Sequence, residues 1–201
     1  MKVTYQGETG AYSEMAVYKF FGRKVEPVPC KDFRDVFESV KTGVVPHGVV
    51  PIENSIEGSV NQNYDLFLAY DLKVCGEVAV KLAHVLIGNP KTKLEDIQTV
   101  YSHPQALAQC RKYLEKHKWE IIPAYDTAGA VKIIKEKGLS NSAAIASEKA
   151  ADLYDMKILA RDIADNPSNY TRFLVLGLED AAPTGDDKTS IIFSAKHAPG
   201  T

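Results

Sequence analysis

The feature of this chain that most constrains its fold is a regular alternation of short apolar runs with amphipathic helical stretches. Lys2 to Tyr5 reads as a strand, Ser13 can cap a helix running to Phe21, and Gly22 ends it. Lys24 to Val28 is a second strand. Asp32 can cap a helix that places Phe33, Val36, Phe37 and Val40 on one face, with Gly43 at its end. Gly48 to Ile52 is a third strand, and Val60, Tyr64, Phe67 and Leu68 mark another helical face. A long extended stretch from Leu72 to Ile87 follows, with Val74, Val78, Val80 and Leu82 at alternate positions. The alternation then resumes, with strands at Gln98–Tyr101, Glu120–Pro123, Ala143–Ala146 and Lys157–Ala160. Helices open at Pro104, Asp126 and Ser147, and Arg172–Leu176 is the last strand of this body.

Repeated strand–helix units imply mostly parallel sheets covered by helices. Two sets of three such units, joined by one long extended stretch, imply two doubly wound α/β lobes with a cleft between them. The first lobe is expected at about 1–78 plus 160–180 and the second at about 79–159, so that the chain crosses twice. Ala181 to Asp187 reads as a linker, and Thr189 to Ala195 as the start of a further strand. This architecture is also that of periplasmic solute receptors (type II) and of the effector domains of some transcription regulators.

The bulk properties narrow the function. A chain of 201 residues, 45% hydrophobic, buries roughly 70% of its unfolded surface and needs no staples. Its net charge of −2 is dispersed, with no Lys/Arg stripe, so no nucleic-acid partner is expected. Cys30, Cys75 and Cys110 are odd in number and widely spaced, which predicts neither a disulfide framework nor a metal site, but reduced thiols in a cytoplasmic protein. Lys2, Glu8, Glu14 and Lys19 fall where a signal peptide would be apolar. No run reaches the ~20 apolar residues of a membrane span, so no membrane partner is expected.

Ligands of open α/β sheets bind beyond the carboxyl ends of the strands. The strand-to-helix junctions are Gln6–Ser13, Pro51–Ser59, Ser102–Gln105, Tyr125–Gly129 and Ala146–Ser147, and each carries a hydroxyl. Ser, Thr and Asp there can simply cap helices. Facing one cleft, the same helix N-termini can bind carboxylates without a cation. Taken together, with Asn54, Gln105 and His103 added, the junctions point to a small polar anion. Asn166 to Phe173 is a polar loop entering a strand, with Thr171 and Arg172 at its mouth. Arg172 can grip a carboxylate in two parallel hydrogen bonds or form a structural ion pair.

Five segments in order resemble prephenate dehydratases: GETGAYS, PIENSIEGSV, SHPQALAQC, AAIASEKAADLY and NYTRF, spanning about residues 1–180. The resemblance implies loss of carbon dioxide and water from prephenate to give phenylpyruvate, with no metal or other cofactor. It makes Thr171 the catalytic threonine, read as a hydrogen-bond donor to the leaving hydroxyl. Arg172 would grip the side-chain carboxylate, with Asn54, Ser55 and Thr9 as neutral donors. Gly10, Ser102, Gln105, Thr127, Asn169 and Phe173 complete the expected binding set. Glu53 and His103 are candidate proton handlers; Glu53 could equally cap or pair with a cation, and His103 could equally tie down its loop. The Asp126–Gly129 segment departs from the Ser-Thr-Ala-plus-charge pattern of the family but keeps the hydroxyl at Thr127. KTSIIFSAKHAPGT looks like the opening of an ACT domain, so phenylalanine regulation is expected only of a full-length protein. A homodimer or homotetramer is implied. Arogenate dehydratase, the same reaction on the transaminated analogue, is the other enzymatic reading, and a non-catalytic small-anion binding module the third.

Overall fold

The computed structural model describes residues 1–189 and 191. The strand expected from Thr189 to Ala195, with the ACT-domain opening read there, lies outside the described residues except at Thr189 and Ile191. Residues 181–187 form no helix or strand.

The first sheet holds β1 (Lys2–Gln6), β2 (Glu26–Cys30), β3 (His47–Asn54), the short β4 (Gly58–Ser59), β5 (Lys73–Lys81) and, from the far end of the chain, β11 (Tyr170–Gly177). Its order is β2-β1-β3-β11-β5, with β4 paired to β3. The second sheet holds β6 (Val85–Gly88), β7 (Thr99–Ser102), β8 (Glu120–Pro123), β9 (Ser142–Ala146) and β10 (Lys157–Ala160) in the order β10-β6-β9-β7-β8. The extended stretch read as one piece from Leu72 to Ile87 therefore divides at Leu82–His84, its halves joining different sheets. The expected lobe boundary near residue 78 falls inside β5, which stays in the first sheet to Lys81.

Both sheets share one plan. Three parallel strands are followed by a reversed strand and then by a strand parallel to the first three. The reversed members, β11 and β6, are the strands that enter each lobe by a crossing. The sheets are consequently mixed rather than mostly parallel, because a strand arriving from the other lobe inserts in the opposite direction. Two lobes of this order, linked by two crossings, form a periplasmic-binding-protein-like type II fold. The two crossing segments are themselves tied, the Leu82 N–H donating to the Asn169 carbonyl at 2.8 Å.

Helices cover both faces of each sheet. In the first lobe, α1 (Tyr12–Phe21) packs Ala16 and Val17 against Val3, Tyr5, Val80, Phe173 and Val175. On the other face, α2 (Phe33–Lys41) and α3 (Asn61–Ala69) bury Val36, Phe37, Val40 and Leu66 against Val50 and Leu176. In the second lobe, α4 (Pro104–Gln109) and α5 (Arg111–Leu114) cover one face, and α6 (Thr127–Lys137) and α7 (Glu148–Leu153) the other. Each fully buried Leu, Ile, Val or Phe contributes roughly 1.5–3 kcal/mol. Asp126 and Ser147 cap α6 and α7 as their side chains accept from the Gly129 and Ala150 N–H groups at 3.0 and 3.1 Å. Ser13 does not cap α1. The cap position is Ala11, and Ser13 lies buried in the first turn.

The lobes meet at two glycines. Gly7 and Gly10 both adopt positive φ, 116° and 92°. A Cβ on Gly10 would stand 3.2 Å from Ala150 Cα, and one on Gly7 3.1 Å from Asp126 Oδ2. Gly10→Ala is therefore expected to destabilise the fold by about 1–3 kcal/mol, through backbone strain and a clash with α7. Urea unfolding measures this; an unchanged midpoint would show that the lobes do not rest on each other there.

Candidate functional site

Antiparallel pairing sets the carboxyl end of β3 beside the start of β11, with Asn54 opposite Thr171. Successive side chains of a strand point to opposite faces. Thr171 therefore shares a face with Phe173 and Val175, towards α1, whereas Arg172 projects to the other side. Thr171 is 7% exposed and Asn54 4%.

Asn54 organises this corner. Its Oδ1 accepts from the Ile56 and Glu57 N–H groups, both at 3.0 Å. Its Nδ2 donates to Thr171 Oγ1 at 2.9 Å, to Asn169 Oδ1 at 2.7 Å and to the Tyr170 carbonyl at 3.2 Å. Asn169 in turn donates through Nδ2 to Gln109 Oε1 at 2.8 Å, linking the return loop to the second lobe. Gln109 Oε1 also lies 2.8 Å from His84 Nε2, and His84 Nδ1 is 3.2 Å from the Tyr12 hydroxyl at the start of α1. Burial pushes the His84 imidazole below its ordinary value, and burial pushes the Tyr12 phenol well up. The network is thus neutral throughout and spans both lobes and both crossings.

Two consequences concern chemistry. Thr171 Oγ1 accepts from Asn54, so its own proton is left to donate. Gln109 Nε2 is buried and has no acceptor among the described residues, which leaves two unpaired N–H donors in the same network. An unpaired buried donor costs about 1–3 kcal/mol, and a bound acceptor would recover that loss. The first turn of α1 adds N–H groups with no side-chain cap from Ala11, while the buried Glu14 carboxylate in that turn accepts from the Gly10 N–H at 2.7 Å and offsets part of the helix's positive partial charge.

The other expected residues are placed as follows. Thr9 and Gly10 form the loop that packs on α7, where the Gly10 carbonyl accepts from the buried Ser147 hydroxyl at 3.0 Å and the Thr9 carbonyl from the Tyr154 hydroxyl at 3.4 Å. Ser55 closes the ring between β3 and the return loop, its Oγ accepting from the Tyr170 N–H at 3.0 Å. Ser102 is buried and donates to the Ile145 carbonyl at 2.6 Å. His103 caps α4, its Nδ1 accepting from the Gln105 N–H at 3.3 Å, and Gln105 and Thr127 are half-buried in the first turns of α4 and α6. Beside them Asp126 is pushed up by burial and held down by the N–H groups of Gly129 and Ala128.

Three residues stand apart from this network. Phe173 is 2% exposed and packs in the core under α1, so its ring has no open surface to offer a ligand. Arg172 pairs with Glu53 at 3.1 Å and with Glu77 at 3.3 Å, on the sheet face opposite Thr171. The strand alternation that buries Thr171 turns the guanidinium and Glu53 away from it, which favours the structural ion pair over the carboxylate grip and leaves Glu53 a poor proton handler. Exposed pairs of this kind contribute about 0–1 kcal/mol. Arg172→Lys is accordingly expected to change stability by under ~1 kcal/mol and to leave the Michaelis constant within about threefold. A tenfold rise in that constant would bring the guanidinium back to the substrate.

Gln109, His84 and Tyr12 were not among the expected site residues. Gln109 and Tyr12 lie within the SHPQALAQC and GETGAYS segments, which held the available signal. His84 sits alone in an extended run and carries none. Among the described residues, no three His, Cys, Asp or Glu side chains are grouped to hold a metal ion, and no helix is long and apolar enough to cross a membrane.

Fold and site together define a two-lobed α/β protein with a buried hydrogen-bond network of neutral side chains where the lobes and their crossings meet. The family model described as prephenate dehydratase matches residues 3–181. The chain is 45% identical, over its whole length and 55% of the relative's, to a bifunctional chorismate mutase/prephenate dehydratase of Pseudomonas aeruginosa. It is 46% identical, over 53% of the relative, to arogenate dehydratase/prephenate dehydratase 2 of Arabidopsis thaliana. It therefore belongs to the prephenate dehydratase family. The solved prephenate dehydratase of Arthrobacter aurescens in complex with L-Phe superposes with a TM-score of 0.85 at 30% identity, covering 92% of this chain and 62% of that one. The chain spans about half the length of the curated relatives it matches.

Proposed function

We propose that this chain converts prephenate to phenylpyruvate. The substrate dianion takes up one proton and yields the phenylpyruvate anion, carbon dioxide and water. The bond from the ring to its carboxylate breaks, and that electron pair enters the ring as the hydroxyl leaves from the opposite carbon. The observation that carries the reading is the Thr171 hydroxyl. Buried beside the lobe junction, it accepts from Asn54, and its free proton is available to the departing oxygen. An aliphatic hydroxyl is too weak an acid to protonate that oxygen outright, so it acts as a donor aimed at developing charge. The first turn of α1 and the unpaired amide of Gln109 supply further neutral donors for the substrate's oxygens. Full neutralisation by a cation is not needed, because the carboxylate that leaves must be held loosely. Incubation with prephenate, followed by the absorbance of phenylpyruvate, tests the activity; no product would leave arogenate as the substrate or a binding module.

Relatives named arogenate dehydratase favour a second reading, arogenate as substrate. Kinetics on both compounds side by side separate them. Biosynthesis of phenylalanine is the corresponding role. A cytoplasmic homodimer or homotetramer is proposed with it, the location supported by the free thiols of Cys30, Cys75 and Cys110. Phenylalanine regulation is proposed for a longer chain that continues into an ACT domain, in keeping with the greater length of the relatives.

A further inference from the structure

The hydrogen-bond network has a direction, and the direction is set by backbone. Asn54 Oδ1 receives two main-chain N–H groups, from Ile56 and Glu57. Its other end must therefore be the amide nitrogen, and the atom of Asn169 that it meets must be an oxygen. Asn169 then presents its nitrogen to Gln109, which must answer with its own oxygen. That same oxygen faces His84 Nε2 at 2.8 Å, so Nε2 must carry a proton. Two amide flips and one histidine tautomer thus follow from the turn after β3, across two lobes.

From this chain we infer that His84, as the Nε2–H tautomer, is a positioning residue that helps hold the Gln109 carboxamide with its nitrogen turned to the substrate. The Gln109 oxygen is saturated by Asn169 and His84, and the nitrogen is left buried without an acceptor among the described residues. His84 is 2% exposed and sits in the first crossing, where the Tyr12 hydroxyl donates to the Ala83 carbonyl at 2.7 Å and lies 3.2 Å from Nδ1. Its ring is kept neutral by burial, so with Nε2 protonated the lone pair sits on Nδ1. Asn169 alone could orient the amide; the second donor makes that orientation rigid.

The inference rests on the dehydratase reading for its kinetic test, and a spectroscopic test is independent of it. Long-range proton–nitrogen NMR on the folded chain, with the His84 signal assigned by its loss in His84→Gln, is expected to show a neutral ring protonated at Nε2. An Nδ1–H tautomer or an imidazolium at neutral pH would overturn the inference. For kinetics, His84→Leu removes the donor, whereas the amide of His84→Gln can reach the same oxygen. The leucine variant is expected to lose about tenfold in turnover, the effect of one buried hydrogen bond. The glutamine variant is expected to recover to within about threefold of the parent. Thermal melts confirm that both variants are folded at the assay temperature. A folded leucine variant with parental turnover, or a folded glutamine variant as slow as leucine, refutes the positioning role. If the parent turns over neither prephenate nor arogenate, the activity reading fails, and the tautomer measurement still decides the inference.

Discussion

Replacing Thr171 with valine is expected to lower turnover by about a hundredfold or more while moving the Michaelis constant little. A donor aimed at charge that develops as a bond breaks is worth roughly 3 kcal/mol in the transition state and far less in the ground state. Valine keeps the β-branched shape that suits a buried strand position, so the packing under α1 survives and only the hydroxyl is lost. Thr171→Ser keeps the donor and should retain most of the activity. Steady-state kinetics on prephenate for both variants are the measurement. Parental turnover in the valine variant would remove Thr171 from the chemistry. A large rise in the Michaelis constant with turnover unchanged would make it a binding group instead.

The second large effect is expected at Asn54. Its carboxamide serves two backbone N–H groups, the Tyr170 carbonyl, Asn169 and Thr171. Leucine in its place fills a similar volume but strands several of these partners away from water, each unpaired group costing about 1–3 kcal/mol. Some will relax towards solvent at the turn, so a net loss of about 3 kcal/mol in stability is expected. Activity should fall further than stability alone explains, because Thr171 and Asn169 lose their orientation together. Asn54→Asp is the informative companion. A carboxylate can still accept from Ile56 and Glu57 but has no proton for Asn169 or Thr171, and it brings a negative charge next to a substrate anion. Urea unfolding and kinetics on both variants test this. A leucine variant within ~0.5 kcal/mol of the parent, the ordinary range for a surface substitution, would show that the network does not depend on this residue.

Much of this protein can be read from its residues. The apolar periodicities locate nearly every strand and helix, because burial of one helix face or one strand run leaves a local trace. Asp126 and Ser147 are legible as caps for the same reason. The motif-bearing segments mark the strand ends from which Asn54, Thr171 and the α1 loop approach one another. Arg172 and Phe173 show the limit of such reading. They adjoin Thr171 in sequence, yet strand alternation leaves Arg172 on the far face and sets Phe173 on the face of Thr171 but deeper, in the core under α1. Strand direction was equally hidden, since β6 and β11 carry the same apolar signal whichever way they run.

The residue pattern by itself determined the two-lobed α/β plan, most of the helix ends and the hydroxyl- and amide-bearing loops, since each depends on residues near in sequence. Only the tertiary structure decided which of those groups meet. Asn54, Gln109, Asn169 and His84 lie far apart along the chain and form one directed network because two crossings bring the lobes together. Hydrogen bonds act over about 3 Å, so that network exists only once the strands have chosen their order and direction.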